Sequence, residues 1–183
     1  MTPRDGYTPG PARGAQVRKD GEKWTLILVR DLRHAPERVW RALTDPESLR
    51  EWAPFEAEGS LATDGAAVNL KWVGTGQPQL TTVTQAKAPE VLEYGDLRWE
   101  LEPLADGGTR LTLWHKIDRR FVAWGAAGWH ICLDVLDHFL GGSPIGRIVG
   151  PDAIGFGWQR LNEEYAGQFR VESPAWAPNQ TKR

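Results

Sequence analysis

Cysteine and long hydrophobic runs are scarce in this sequence, and each shortage excludes a class of protein. There is one cysteine among 183 residues, Cys132, so a single chain can build neither a disulfide framework nor a thiolate metal site. Nowhere do about 18 uncharged apolar residues follow one another, which argues against a membrane span. The N-terminal run MTPRDGYTPGPARGAQVRKDGEK lacks the apolar core of a signal peptide. These shortages together predict a cytoplasmic protein.

An excess of charge of either sign is also missing. The chain has 22 basic and 24 acidic residues, a net charge of -2, and no dense cluster of Lys and Arg that would neutralise a phosphate backbone. The sequence therefore predicts no nucleic-acid partner. Nothing in it predicts a cofactor.

Tryptophan, in contrast, is abundant. The ten Trp residues are dispersed along the chain at positions 24, 40, 52, 72, 99, 114, 124, 129, 158 and 176. Small cores are filled more simply by Leu and Val, so this number favours an aromatic-lined cavity or an interface, although any one Trp could equally be an ordinary core residue.

The distribution of Gly, Pro and charge divides the chain into three parts. Residues 1–22 are predicted to be a disordered leader. Residues 23–172 are predicted to form one domain, and residues 173–183 a flexible tail. One hydrophobic core is consistent with this length.

The first half of the domain carries signals for a strand and two short helices. KWTLILVRDL, from Lys23, is rich in aliphatic and β-branched residues and predicts a strand. Pro36 suits the first turn of a helix. Asp45 is a predicted N-cap, with Pro46 at the first position of a second helix that ends near Trp52.

Four strand-like runs follow, namely AAVNLKWV, QLTTVTQA, VLEYGDLRWELEPL and TRLTLWHKI. Their apolar residues alternate with polar ones, as in strands with one buried face. In the last run, alternation places Leu111, Leu113 and His115 on the buried face.

The remaining pattern has helical period. Residues from about Trp124 to Leu140 form an apolar stripe, and DAIGFGWQRLNEEYAGQF predicts a final helix. The opposite face of the first of these helices carries His130, Asp134 and His138. They span two turns, about 12 Å, which is too far for one metal ion. We therefore interpret them as a solvated face and predict no metal site.

These elements together predict an α+β protein: a curved antiparallel sheet, two short helices after the first strand, and long C-terminal helices that close a cavity.

The runs VRDLRHAPERVWRALTDPESLREW, EVLEYGDLRWELEPLADGGTRLTLWHKI and AAGWHICLDVLDHFLGG, in that order, resemble the SRPBCC superfamily of helix-grip proteins. Within it, they are most similar to the bacterial stand-alone, AHSA-like or START-like relatives of the activator of heat-shock-protein ATPase. The resemblance covers about residues 24–170. It implies the helix-grip fold but no single activity, because relatives bind lipids, hormones or polyketides, and some are cyclases or hydrolases.

The main hypothesis is a binding protein for a small hydrophobic or aromatic molecule held in an internal, Trp-lined cavity. Its lining is predicted from the inward positions of the strands and the closing helix: Trp72, Trp99, Leu113, His115, Trp129 and Leu133. His115 would supply the directional polar contact. A core histidine satisfied by a carbonyl or water is the structural alternative.

Two other functions stay open. The cavity could belong to a cyclase, hydrolase or lyase with His115 as the candidate catalytic acid or base. A co-chaperone-like interaction module would instead present extra tryptophans, such as Trp114 and Trp176, in an exposed patch. A homodimer and a protein partner are compatible with the sequence as well.

Overall fold

The computed structural model describes residues 2–174 and 176. A 3₁₀ turn at Pro3–Gly6 precedes eight strands, and a second at Arg119–Phe121 precedes the long helix. The strands are β1 Ala15–Asp20, β2 Lys23–Leu32, β3 Phe55–Ala57, β4 Ala67–Trp72, β5 Gln79–Lys87, β6 Val91–Tyr94, β7 Leu97–Pro103 and β8 Thr109–Lys116. The helices are α1 Pro36–Thr44, α2 Pro46–Trp52, α3 Val122–Leu140, α4 Pro151–Ile154 and α5 Trp158–Phe169.

The eight strands form one curved antiparallel sheet in the order β1-β2-β8-β7-β6-β5-β4-β3. The helix α3 packs against β2 and also contacts α1, α2 and α5. Its apolar side chains and those of the sheet form one core. This arrangement confirms the predicted α+β helix-grip architecture.

Both short helices begin where their proline and cap signals predict. Helix α1 starts at Pro36, and α2 starts at Pro46. The Asp45 carboxylate accepts a hydrogen bond from the Ser48 backbone N–H at 2.9 Å, which satisfies one of the amide groups left unpaired at a helix N-terminus.

The predicted disordered leader is wrong for residues 2–20. Residues 15–20 are β1, which pairs along its whole length with β2. The segment before β1 is bonded to α5: the Ala12 backbone N–H donates to Glu164 and the Pro9 carbonyl accepts from Arg160. The composition of the segment is polar, yet β2 and α5 satisfy its backbone groups, and a single-sequence pattern does not reveal such distant partners.

Two further predicted elements are interrupted by glycines. VLEYGDLRWELEPL is a hairpin rather than one strand, because Gly95 (φ 54°) turns the chain between β6 and β7. The predicted final helix is broken into α4 and α5 at residues 155–157, where Gly157 has φ 86°. Both φ values lie in the left-handed region that glycine adopts without steric cost.

The C-terminal boundary of the domain stays a prediction. Of the predicted tail, residues 173, 174 and 176 are described. The Ser173 hydroxyl donates to Asn162 at 2.7 Å. Residues 175 and 177–183 lie outside the described part of the chain.

Within residues 2–174 and 176, every helix is too short or too polar to cross a bilayer.

Candidate functional site

A cavity of about 300 Å³ lies between α3, the ends of β4 and β8, and the chain leading into α5. Its wall is dominated by aromatic side chains: Trp72, His115, Trp124, Trp129, Trp158 and Trp176. We call this space the tryptophan-walled cavity. Its size is at the lower end of the range of small-molecule sites, which are usually concave and mainly apolar.

Two glycines on α3 line the cavity, where their lack of a side chain affects how much space is left. Gly125 and Gly128 are three residues apart, so both face the same side of the helix. A Cβ at Gly128 would meet no atom within 4 Å, whereas a Cβ at Gly125 would lie 2.8 Å from Ile117 Cδ1. Gly125 therefore allows α3 to approach Ile117, the residue that follows β8, and Gly128 leaves open space.

We expect Gly128→Ala to raise the free energy of unfolding by about 0.5–1 kcal/mol, because alanine is the better helix former and nothing obstructs its methyl group. Gly125→Ala is the matched control on the same helix: its methyl group would lie 2.8 Å from Ile117 Cδ1, so the Ile117 side chain must move, and this substitution should stabilise the protein less than Gly128→Ala. Urea denaturation of both variants measures the difference. Equal effects of the two substitutions would contradict this account of the helix.

His115 occupies the end of β8 and is held by two tryptophans. Its Nδ1 accepts a hydrogen bond from Trp129 Nε1–H at 3.0 Å. Its ring stacks on that of Trp72, with centroids 6.3 Å apart and an angle of 16° between planes. The imidazole is thus fixed in position by an indole donor at Nδ1.

The protonation state of His115 follows from this contact and from burial. Burial lowers its pKa to about 4, against which the charge of Asp96 acts weakly, so the ring is neutral at pH 7. An indole nitrogen only donates. Nδ1 is therefore the unprotonated nitrogen, and the ring proton is on Nε2.

The structure separates the six predicted lining residues into two groups. Trp72, His115 and Trp129 line the cavity. Trp99, Leu113 and Leu133 are at most 2% exposed and lie in the core; Trp99 packs edge-on against Trp129, with centroids 5.5 Å apart, and so stands behind the wall. Whether any of the six contacts a ligand stays a prediction.

Three tryptophans of the wall were missed by sequence reasoning: Trp124, Trp158 and Trp176. Trp124 packs edge-on against Trp158 at a centroid distance of 5.1 Å, and its ring is tilted by 33° against that of Trp176 at 5.7 Å. Trp124 Nε1 also donates to the Pro174 carbonyl. The abundance of tryptophan was the available signal, but the contacts join residues as far apart as 124 and 176.

Cys132 lies on the cavity wall but is not a reactive thiol. It is 2% exposed, and burial raises its pKa to about 12. A nucleophilic cysteine needs a thiolate at neutral pH. Its role is packing, as its place in the apolar stripe predicts.

The prediction of a solvated face on α3 is wrong for His130. His130 is 1% exposed, and its Nδ1 lies 2.7 Å from the Tyr165 hydroxyl on α5. Its Nε2 lies 3.5 Å from Asp134 Oδ2, which accepts a hydrogen bond from Tyr7 at 2.6 Å. Helix α5 and the N-terminal segment cover this face, which helical periodicity alone marks as polar and therefore exposed.

This polar cluster holds the N-terminal segment to the helices. Arg30, only 3% exposed, donates to the Arg13 carbonyl at 3.0 Å, and the Tyr165 hydroxyl contacts the same carbonyl at 3.1 Å. Burial, followed by the charges of Arg30, Arg13 and Arg160, lowers the pKa of His130 to about 3. Among the described residues, no three His, Cys, Asp or Glu side chains are grouped as metal ligands would be.

The tryptophans expected in an exposed patch lie elsewhere. Trp176 packs against Trp124 and Trp158, and Trp114 is half-buried on the outer face of β8. The large apolar side chains that are exposed in the described part of the chain are Val73, Leu80, Phe121 and Ile154. None of these is a tryptophan.

A curved antiparallel sheet closed by a long helix is the helix-grip architecture of the SRPBCC superfamily. Residues 33–141, more than half of the chain, match the family described as "Activator of Hsp90 ATPase homolog 1-like protein". The chain belongs to this family, and the resemblance found in the sequence is confirmed. No curated protein matches the chain.

Solved structures share the fold at low sequence identity. EF2215 from Enterococcus faecalis, a conserved protein of unknown function, has a TM-score of 0.65 and 16% identity over 84% of this chain and 89% of its own. CalU16 from Micromonospora echinospora has a TM-score of 0.61 and 23% identity over 84% of this chain and 93% of its own. DynU16, from the dynemicin biosynthetic locus, has a TM-score of 0.57 and 21% identity over 69% of this chain and 49% of its own. At these identities the likeness shows the fold alone.

Proposed function

We propose that the protein binds a small, mainly apolar aromatic molecule in the tryptophan-walled cavity. The observation that carries this proposal is the open space beside Gly128, within a cavity of about 300 Å³ walled by tryptophans. A dry apolar cavity of about 150 Å³ holds a benzene molecule. The volume here suits a ligand of about two rings, held by apolar burial and edge-to-face aromatic contacts.

The enzyme and interaction hypotheses receive less support. A general acid carries a proton at the working pH, whereas the pKa of His115, lowered by burial to about 4, leaves its ring neutral and a weak base. A co-chaperone-like module requires an exposed apolar patch, and Trp176, which was expected in it, packs against Trp124 and Trp158.

The test is a titration of the protein with two-ring aromatic compounds, beginning with 2-acetylnaphthalene, followed by quenching of tryptophan fluorescence and by calorimetry. We expect saturable binding to the unaltered protein. Gly128→Leu should weaken it about tenfold or more, because the new side chain fills the cavity, and overpacking typically costs about 1–3 kcal/mol.

Gly167→Leu is the matched control, because Gly167 is a helical glycine on α5, away from the cavity wall, where an added Cβ also meets nothing within 4 Å. It should bind like the unaltered protein. Binding that survives Gly128→Leu unchanged, or is absent from the unaltered protein for every compound, would contradict the proposal.

A further inference from the structure

The polar side-chain groups of the cavity wall are mainly hydrogen-bond donors. Within the described residues that line it, the wall has no Asp, Glu, Asn, Gln, Ser, Thr or Tyr side chain. Its strongly polar side-chain atoms are the nitrogens of His115 and of the tryptophans. An indole nitrogen donates and cannot accept.

His115 is the one wall side chain with a strong acceptor atom, and that acceptor is already used. Its Nδ1 lone pair is bonded to Trp129 Nε1–H. The same bond consumes the indole donor of Trp129, and the donor of Trp124 is bonded to the Pro174 carbonyl. The indole donors of Trp72, Trp158 and Trp176 have no hydrogen-bond partner among residues 2–174 and 176. Satisfying Nδ1 in this way leaves the proton of the neutral ring on Nε2.

His115 Nε2 has no hydrogen-bond partner among residues 2–174 and 176. It is not among the fully buried nitrogens, so a ligand can reach it. An N–H group that has no protein partner and lies on an apolar wall favours ligands that can accept a hydrogen bond from it. Such a ligand binds more tightly than an apolar ligand of the same shape. The two tryptophans that face His115 fix the direction of this N–H, since one bonds to the ring and the other stacks on it.

We infer that the cavity selects aromatic ligands that carry an uncharged hydrogen-bond acceptor, such as a ketone or quinone carbonyl. His115 Nε2–H donates a hydrogen bond to that acceptor. Trp129 is a positioning residue in this arrangement, because it fixes the tautomer through Nδ1. The inference rests on the proposed function and specifies the ligand chemistry of the same site.

The test compares two probes of the same shape, 2-acetylnaphthalene, which has a carbonyl acceptor, and 2-isopropenylnaphthalene, which has a methylene group in its place. The affinity of each is measured by calorimetry for the unaltered protein and for His115→Leu. The ratio of ketone to hydrocarbon affinity should fall roughly three- to tenfold in His115→Leu, the contribution of one neutral hydrogen bond. Differences in the hydration of the two probes cancel in this comparison.

A second measurement needs only the unaltered protein, so that it stands even if His115→Leu folds poorly. The carbonyl stretch of bound, ¹³C-labelled 2-acetylnaphthalene should shift to lower frequency than in a hydrocarbon solvent, as expected for a carbonyl that accepts a hydrogen bond. An unshifted stretch, or a ratio unchanged by His115→Leu with both probes bound, would overturn this inference and leave the proposed binding function intact. Failure of both probes and of every other two-ring compound to bind would overturn the inference and the proposed function together.

Discussion

Trp99→Ala is expected to lower the free energy of unfolding by about 3–5 kcal/mol, the usual cost of removing a large aromatic side chain from a core. Trp99 is fully buried. It packs edge-on against Trp52 and Trp129, with centroid distances of 5.9 and 5.5 Å. Its Nε1–H donates to the buried Tyr94 hydroxyl at 3.1 Å, so the substitution also leaves that hydroxyl without its donor.

Trp72→Ala is the matched control, because Trp72 is only half-buried and stands on the cavity wall. We expect it to cost less stability than Trp99→Ala and to weaken the binding of 2-acetylnaphthalene more, once each variant is measured below its unfolding transition. Urea denaturation gives the first quantity and calorimetry the second. The reverse order in both measurements would mean that Trp99, and not Trp72, forms the wall.

Acidification from pH 6.5 to about pH 4.5 is expected to destabilise the protein steeply. Burial lowers the pKa of His115 to about 4 and that of His130 to about 3, from an unfolded value of 6.5. Within this window the unfolded chain binds two protons that the folded chain excludes. The free energy of unfolding is therefore at its full value above pH 6.5, as far as these two histidines determine it. It falls as the pH falls, with a limiting slope of about 1.4 kcal/mol per pH unit for each histidine.

Carboxyl groups modify this slope in both directions. Burial raises the pKa of Asp134, which faces His130, and a raised carboxyl pKa favours the folded state as the pH falls, so Asp134 offsets part of the loss. Bonded carboxylates such as Glu56, whose pKa is lowered by its hydrogen bond to Arg147, add to the loss only below about pH 4.5.

The measurement is urea denaturation at intervals between pH 7.5 and 4.5. His115→Leu removes one of the two titrating groups, so its slope should be about half that of the unaltered protein in the middle of this window. A flat stability profile for the unaltered protein down to pH 4.5 would mean that neither histidine is buried in its neutral form.

Much of the fold could be predicted because its signals are local. The proline at the first position of α1 and the Asp45 cap of α2 locate both short helices. Alternation along β8 orients His115 inward, and in the structure this residue lies on the cavity wall. The N-terminal segment was not predictable in this way, because β1 is held by backbone bonds to β2 and its sequence has no clear apolar alternation.

The candidate site was predicted only in part, because a pattern gives the face of a residue and not its depth. Trp72 and Trp99 both point inward from strands, yet Trp99 is buried behind Trp129 while Trp72 reaches the wall. Trp158 was predicted within a helix stripe, but its place beside Trp124 depends on the break at Gly157.

The sequence by itself determined the α+β class, the two capped helices, the inward position of His115 and the family, since each depends on residues close together in the chain. Only the tertiary structure decided which tryptophans enclose the cavity, that Nδ1 of His115 is bonded to Trp129, and that His130 is covered by α5 and the N-terminal segment. The physical reason is that burial and hydrogen-bond partners depend on which distant elements pack together, and the period of a single element does not encode that choice.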